Sequence, residues 1–167
     1  MDTPFEFPRQ LDALSDYNLE QRILRTVGIP KRVSTQFDKT DTTLTDVTGL
    51  SVGVEPFRAY TFEAILFVDA SLVGGSKYSI GGTCTATAIK FQTSLLDNTT
   101  NAYTITSRSV ALANPSGQAG TQSGYCVITG TIQVATGGTL TVQFAQNAAN
   151  GTSSVLKESS FFVRPCP

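Results

Sequence analysis

The sequence predicts an all-β fold, an antiparallel β-sandwich or jelly-roll-like domain of about eight strands, preceded by an N-terminal arm with one short helix. Three observations carry this reading. Apolar residues recur at strand spacing from Thr42 to the C-terminus, breakers separate these runs, and charge is concentrated in the first quarter of the chain. Of 167 residues, 40% are hydrophobic, enough for a sizeable core, and only 15% are charged. Thr, Ser, Gly, Asn and Gln make up the difference, as expected of half-buried strands and their turns.

Residues 1–39 hold six of the twelve Lys and Arg and six of the thirteen Asp and Glu. The composition shift places a boundary near Val33 to Thr40, giving an arm over 1–39 and a β domain over 40–167. In the arm, Pro4 and Pro8 predict an extended lead-in. Ser15 or Asp16 can cap a helix running to about Thr26, closed by Gly28 and stopped by Pro30. Leu19, Ile23 and Val27 fall on one stripe, with Leu24 beside it. A helix this short is not stable alone in water, so it must pack on its own domain, a neighbouring subunit or a partner. Leu19, Ile23, Leu24 and Val27 are the candidate partner-binding residues.

In the β domain, Thr42 to Val47 alternates, and Tyr60 to Val68 (YTFEAILFV) is apolar on both faces, as a central strand is. Lys77 to Ile80, Cys84 to Phe91 and Ala102 to Val110 follow. Tyr125 to Val134 and Thr139 to Gln146 look like a pair joined by a permissive Gly137-Gly138 turn. In the second of these, Leu140, Val142 and Phe144 point one way and Thr141 and Gln143 the other. Ser160 to Arg164 is the last strand.

Several function classes find no support. A net charge of −1 gives no electrostatic case for nucleic acid or an anionic membrane. The longest apolar run, Ala64 to Val68, is far below the roughly 20 residues of a membrane helix. The first residues lack the basic and apolar regions of a secretory signal, which fits synthesis in a cytoplasm. There is no histidine, so the usual general base and the Ser-His and Cys-His nucleophile pairs are missing. The carboxylates after Asp46 (Glu55, Glu63, Asp69, Asp97 and Glu158) form no paired or calcium-loop pattern. Cys84, Cys126 and Cys166 match no zinc or redox spacing, and the first two read as small buried hydrophobes. No catalytic, cofactor-binding or metal-binding residue is assigned, no cofactor is expected, and the chain reads as not an enzyme. Glu63 is the one acid inside an apolar strand. Its plain reading is a charge facing solvent or a subunit, and its sharper reading is a raised-pKa acid or a buried partner for Arg58 or Arg108.

Asp46-Val47-Thr48-Gly49-Leu50-Ser51, followed by Tyr60-Thr61-Phe62-Glu63-Ala64, resembles the opening of a β-rich domain found in bacteriophage virion proteins. YCVITGTIQVATGGTLTVQFAQ and the last strand near Lys157 to Arg164 resemble that domain's ending. Together these stretches cover roughly Thr42 to Arg164. The resemblance implies a component of tail fibres or a small stand-alone virion protein, often trimeric, with no catalytic residues to transfer. The resulting expectation is a homotrimeric capsid decoration (cement) protein of the virion, made in the host bacterial cytoplasm. Its arm contacts the major capsid protein or another virion protein. The alternative is a short tail fibre, spike or baseplate appendage involved in receptor binding. A carbohydrate-binding module or small hydrolase is disfavoured by the missing His, Trp and carboxylate pair.

Overall fold

The computed structural model describes residues 28, 30–97, 103–115, 117–119 and 124–166. Among them are twelve strands and no helix. They are β1 (Lys31–Arg32), β2 (Phe37–Lys39), β3 (Thr45–Val54), β4 (Ala59–Asp69), β5 (Ser76–Gly81) and β6 (Thr85–Asp97). Then come β7 (Tyr103–Ser109), β8 (Gly117–Ala119), β9 (Gly124–Thr136), β10 (Gly138–Ala145), β11 (Ser153–Val155) and β12 (Ser160–Pro165). All pairings are antiparallel. The predicted helix from Ser15 or Asp16 to Thr26, with Leu19, Ile23, Leu24 and Val27, lies outside the described residues.

The strands form two sheets. The larger runs β1-β12-β4-β9-β6-β7, with β11 continuing the β12 edge of β4 and β2 pairing outside β11; the smaller runs β3-β10-β5-β8. One buried apolar cluster draws on both, so the sheets lie face to face. The larger sheet supplies Phe62, Ala64 and Leu66 from β4, Ile89 and Phe91 from β6, Cys126 and Ile128 from β9, and Phe161 from β12. The smaller supplies Leu50 and Val52 from β3, Tyr78 and Ile80 from β5, and Leu140, Val142 and Phe144 from β10. Each fully buried Leu, Ile or Phe stabilises the fold by roughly 1.5–3 kcal/mol relative to exposure.

β4 shows why alternation sets this layer. Tyr60, Phe62, Ala64, Leu66 and Val68 are buried, and the residues between them are exposed or half-buried. Gly130 of β9 lies opposite both Phe62 and Phe91 in the register. A Cβ there would come within 2.6 Å of each ring residue and 2.5 Å of the Lys90 carbonyl. The missing side chain is the space in which Phe62 packs between Phe91 and Phe161, each with ring centroids 6.3 Å away.

β3 departs from simple alternation. Thr141 of β10 faces Ser51, but Gln143, two residues on, faces Asp46, so β3 bulges over residues 47–50. Gly49 carries the bulge at φ +92°. The reset turns both Val47 and Leu50 into the core, at 1% and 0% exposure.

Two expectations are corrected. β9 and β10 are not a hairpin: β9 pairs with β4 and β6, and β10 with β3 and β5. Gly137 is where the chain crosses between sheets. The apolar sides of the two strands face each other across the core, and alternation alone cannot tell that from lateral pairing. The strand count also exceeds eight, because β1, β2, β8 and β11 are each two or three residues long. β1 and β2 lie within the arm range 1–39 defined by composition, and they pair with β12 and β11. Val33, fully buried between them, donates its N–H to the Ser159 carbonyl at 2.8 Å.

Candidate interaction surface

The larger sheet presents its inner side to the smaller sheet, and the register fixes what its outer side carries. One row reads Arg164, Thr61, Thr131, Lys90. The next reads Phe162, Glu63, Thr129, Gln92, Arg108. Then come Ser160, Ile65, Val127, Ser94 and finally Phe67, Tyr125, Leu96. Charges occupy the first two rows. The last two, with Phe162, form an apolar half that no layer of the described structure covers. Ile65, Leu96, Tyr125, Val127 and Phe162 are half-buried only by their neighbours, and Phe67 is 41% exposed. Phe67 and Tyr125, cross-strand partners, pack with ring centroids 5.8 Å apart.

Glu63 stands in the middle of the polar half, exposed. Neither guanidinium proposed as its buried partner reaches it. Arg58 pairs with Glu55 at 2.8 Å, and Arg108 donates to Gln92 Oε1 at 3.4 Å. The plain reading of Glu63, a charge facing outward, is the one the geometry gives. Shallow grooves run over this face, one lined by Thr61, Glu63, Thr129, Phe162 and Arg164, another by Lys90, Gln92, Arg108 and Val110.

A seam in the sheet holds the lower edge of this face. Between β11 and β12 the chain leaves the β4 ladder, and the Ser159 hydroxyl takes over. It accepts the Phe67 N–H at 3.0 Å and donates to the Leu156 carbonyl at 2.8 Å, while Leu156 N–H donates to the Phe67 carbonyl at 2.8 Å. Further along the edge, the Asp38 carboxylate accepts from the Ser154 hydroxyl at 2.7 Å and the Gln36 amide at 2.8 Å. These bonds hold the Asp38 carboxyl below its ordinary value, Ser154 contributing most.

Exposed apolar side chains also sit in the loops at the two ends of β4. Phe57, 84% exposed with φ +60°, precedes it, and Leu72 and Val73, at 78% and 60%, follow it. Beside the second loop, buried Gln146 donates to the carbonyls of Asn150 and Gly151 and accepts the Asn150 N–H.

Cys84 and Cys126 are buried free thiols, and burial pushes both up, Cys126 the further. Burial likewise raises Tyr78, whose hydroxyl donates to Ser76 Oγ at 2.8 Å. Cys166 is partly exposed, in a groove with Tyr60 and Lys90. Among the described residues no group of three His, Cys, Asp or Glu could hold a metal ion.

No family model and no curated protein matches the chain. Solved structures similar to it include a subviral particle of infectious bursal disease virus VP2, at 10% identity and TM-score 0.21. That alignment covers 83% of this chain and 41% of the other. The Gx strain of the same virus gives 11% identity and TM-score 0.21, covering 83% of this chain and 40% of the other. The chain thus spans about two-fifths of the length of either, and neither score reaches that of a shared fold.

Proposed function

We propose that this chain is a non-enzymatic structural protein of a bacteriophage virion, most simply a homotrimeric decoration or cement protein that stabilises the head. The observation that carries the reading is the uncovered apolar half of the larger sheet's outer face. A β-body that leaves such a face open is suited to assembly with other protein surfaces. The jelly-roll-like sandwich and the resemblance of Thr42 to Arg164 to phage virion domains agree with it. In this reading Leu19, Ile23, Leu24 and Val27 of the N-terminal segment bury against the major capsid protein or another virion protein. The site of action is the particle.

The exposed Phe57, Leu72 and Val73 favour a second reading, a short fibre, spike or baseplate appendage whose loops contact a receptor. Labelled protein mixed with particles, sedimented and imaged by electron microscopy, separates the two. The first reading expects regular density over the head and loss of binding in Ile23→Asp with Val27→Asp. Density only at the tail, or binding unchanged by the double substitution, goes against it.

A further inference from the structure

We infer that Asn150 is a site of spontaneous covalent modification. The Gly151 backbone nitrogen attacks the Asn150 side-chain amide, and water then opens the resulting ring to aspartate and isoaspartate. Asn150-Gly151 is the one Asn-Gly pair in the sequence. The reaction needs an accessible carboxamide, a following nitrogen that no side chain shields, and loss of that nitrogen's proton. Both residues are exposed, in the loop between β10 and β11. Gly151 turns at φ +63°, and a Cβ there would sit 3.0 Å from Ser71 Oγ, so the approach to its nitrogen is open because it is glycine. Among the described residues no hydrogen bond uses the Asn150 carboxamide or the Gly151 N–H, while the rest of the turn is bonded.

The fold acts on this reaction at the Asn150 main-chain carbonyl. That oxygen accepts from the Ser71 hydroxyl at 2.5 Å and from the buried Gln146 amide at 2.9 Å. The proton lost in the attack leaves the peptide nitrogen conjugated with this carbonyl, so the negative charge that develops spreads onto its oxygen. Donors already aimed at an oxygen that gains charge stabilise that charge. Gln146 also holds the turn in shape, accepting the Asn150 N–H at 3.2 Å and donating to the Gly151 carbonyl at 3.1 Å. In the balance, Gly151 N bonds to Asn150 Cγ, the Cγ–Nδ2 bond breaks, and ammonia leaves with the proton from Gly151 N. Water then adds to either ring carbonyl. Opening between Gly151 N and Cγ gives aspartate, and opening between Gly151 N and the main-chain carbon gives isoaspartate. Both products add a negative charge. Isoaspartate also lengthens the main chain by one carbon inside the Gln146 clamp. The change reaches the adjoining loop, where the Asn147 and Ala148 N–H groups each donate to the Gly74 carbonyl at 2.9 Å, beside exposed Leu72 and Val73.

The test is peptide mass spectrometry of the full chain held at neutral and mildly alkaline pH, folded and in denaturant. The expected result is conversion of Asn150 to the acid, through a species lighter by one ammonia. Asn147, exposed in the same loop but followed by Ala148, should stay intact over that time. The folded chain should react at least as fast as the denatured one, which has lost the Ser71 and Gln146 donors. Ser71→Ala should slow the folded chain about tenfold, the rate equivalent of one hydrogen bond, and leave the denatured rate unchanged. Ser71→Thr keeps the hydroxyl and should keep the rate. Circular dichroism checks that the variants fold. A folded wild type that converts more slowly than the denatured chain overturns the inference. So does a folded Ser71→Ala that reacts as fast as wild type or faster, since the Ser71 bond then restrains the turn and does not activate it. Should Ser71→Ala fail to fold, the comparison of folded with denatured wild type decides alone.

Discussion

The outer faces of the two sheets are made from the same strand geometry and end up chemically different. On the smaller sheet outward positions of β10 and β3 are polar and bond to one another across the sheet, with the buried Gln143 Oε1 left without a partner among the described residues. Thr141 Oγ1 donates to Ser51 Oγ at 2.9 Å, and Gln143 Nε2 to Asp46 Oδ1 at 2.7 Å. On the larger sheet the corresponding positions of β4 and β9 divide into a polar half, with Thr61, Glu63, Thr129 and Thr131, and an apolar half, with Ile65, Phe67, Tyr125 and Val127. Alternation requires only one apolar face per strand for a two-sheet core. A second apolar half-face adds nothing to that core. The smaller sheet's outward side is polar, with Thr141 and Ser79 themselves buried, and half of the larger sheet's outward side is apolar.

The comparison holds only if the shared inner layer, and not the outer faces, stabilises the fold, and that layer gives the largest expected effect. Phe62→Ala removes a ring packed against Phe91 and Phe161 and should cost about 3–5 kcal/mol. Gly130→Ala fills the space those rings use, against the Lys90 carbonyl, which cannot swing away, and should cost about 1–3 kcal/mol. Denaturant unfolding of both variants measures this. Costs near zero would mean that the two sheets do not share the core described.

A smaller effect sharpens the polar side of the comparison. Ser51→Ala takes the acceptor from the largely buried Thr141 hydroxyl and should cost about 0.5–1.5 kcal/mol. If the chain assembles as proposed, its assembled mass should not change. If this substitution disperses the oligomer, the smaller sheet carries the contact and the contrast between the faces fails.

Much of this was legible in the sequence and some was not, for physical reasons. The apolar character of YTFEAILFV on both sides marked β4 as central, and it is central, between β9 and the β11–β12 edge. Period-two patterning found the long strands because each buries one side. It missed β1, β2, β8 and β11, which are too short to show a period and are held by edges supplied from elsewhere in the chain. It also read β9 and β10 as neighbours, because facing across a core and lying side by side leave the same pattern. The outer face was half legible. The apolar residues of β4 were plain, but their alignment with Val127 and Tyr125 depends on register, which one sequence does not specify. The Glu63 alternatives needed the positions of Arg58 and Arg108, which are set by pairings far apart in the chain.

The smallest expected effect concerns the edge that borders the open face. Asp38 joins β2 to β11 through Ser154 and also accepts from Gln36, and its carboxyl is depressed in the folded protein from the ordinary 3.8. A depressed acid binds its proton more weakly folded than unfolded. Its stabilising contribution is therefore complete above pH 3.8 and is lost as pH falls below 3.8 through the lowered folded value. Asp38→Asn keeps the shape and removes the charge, so it should lower the melting temperature slightly at neutral pH and converge with wild type in acid. Because Asp38 is exposed, the difference should be smaller than for the core variants and should shrink with added salt. Melting curves of both proteins across this range, at low and high salt, decide it. A gap that persists at the acid end would show that the carboxylate's charge is not what ties β2 to the sheet, and that the edge is held by Val33 and its backbone bond to Ser159 instead.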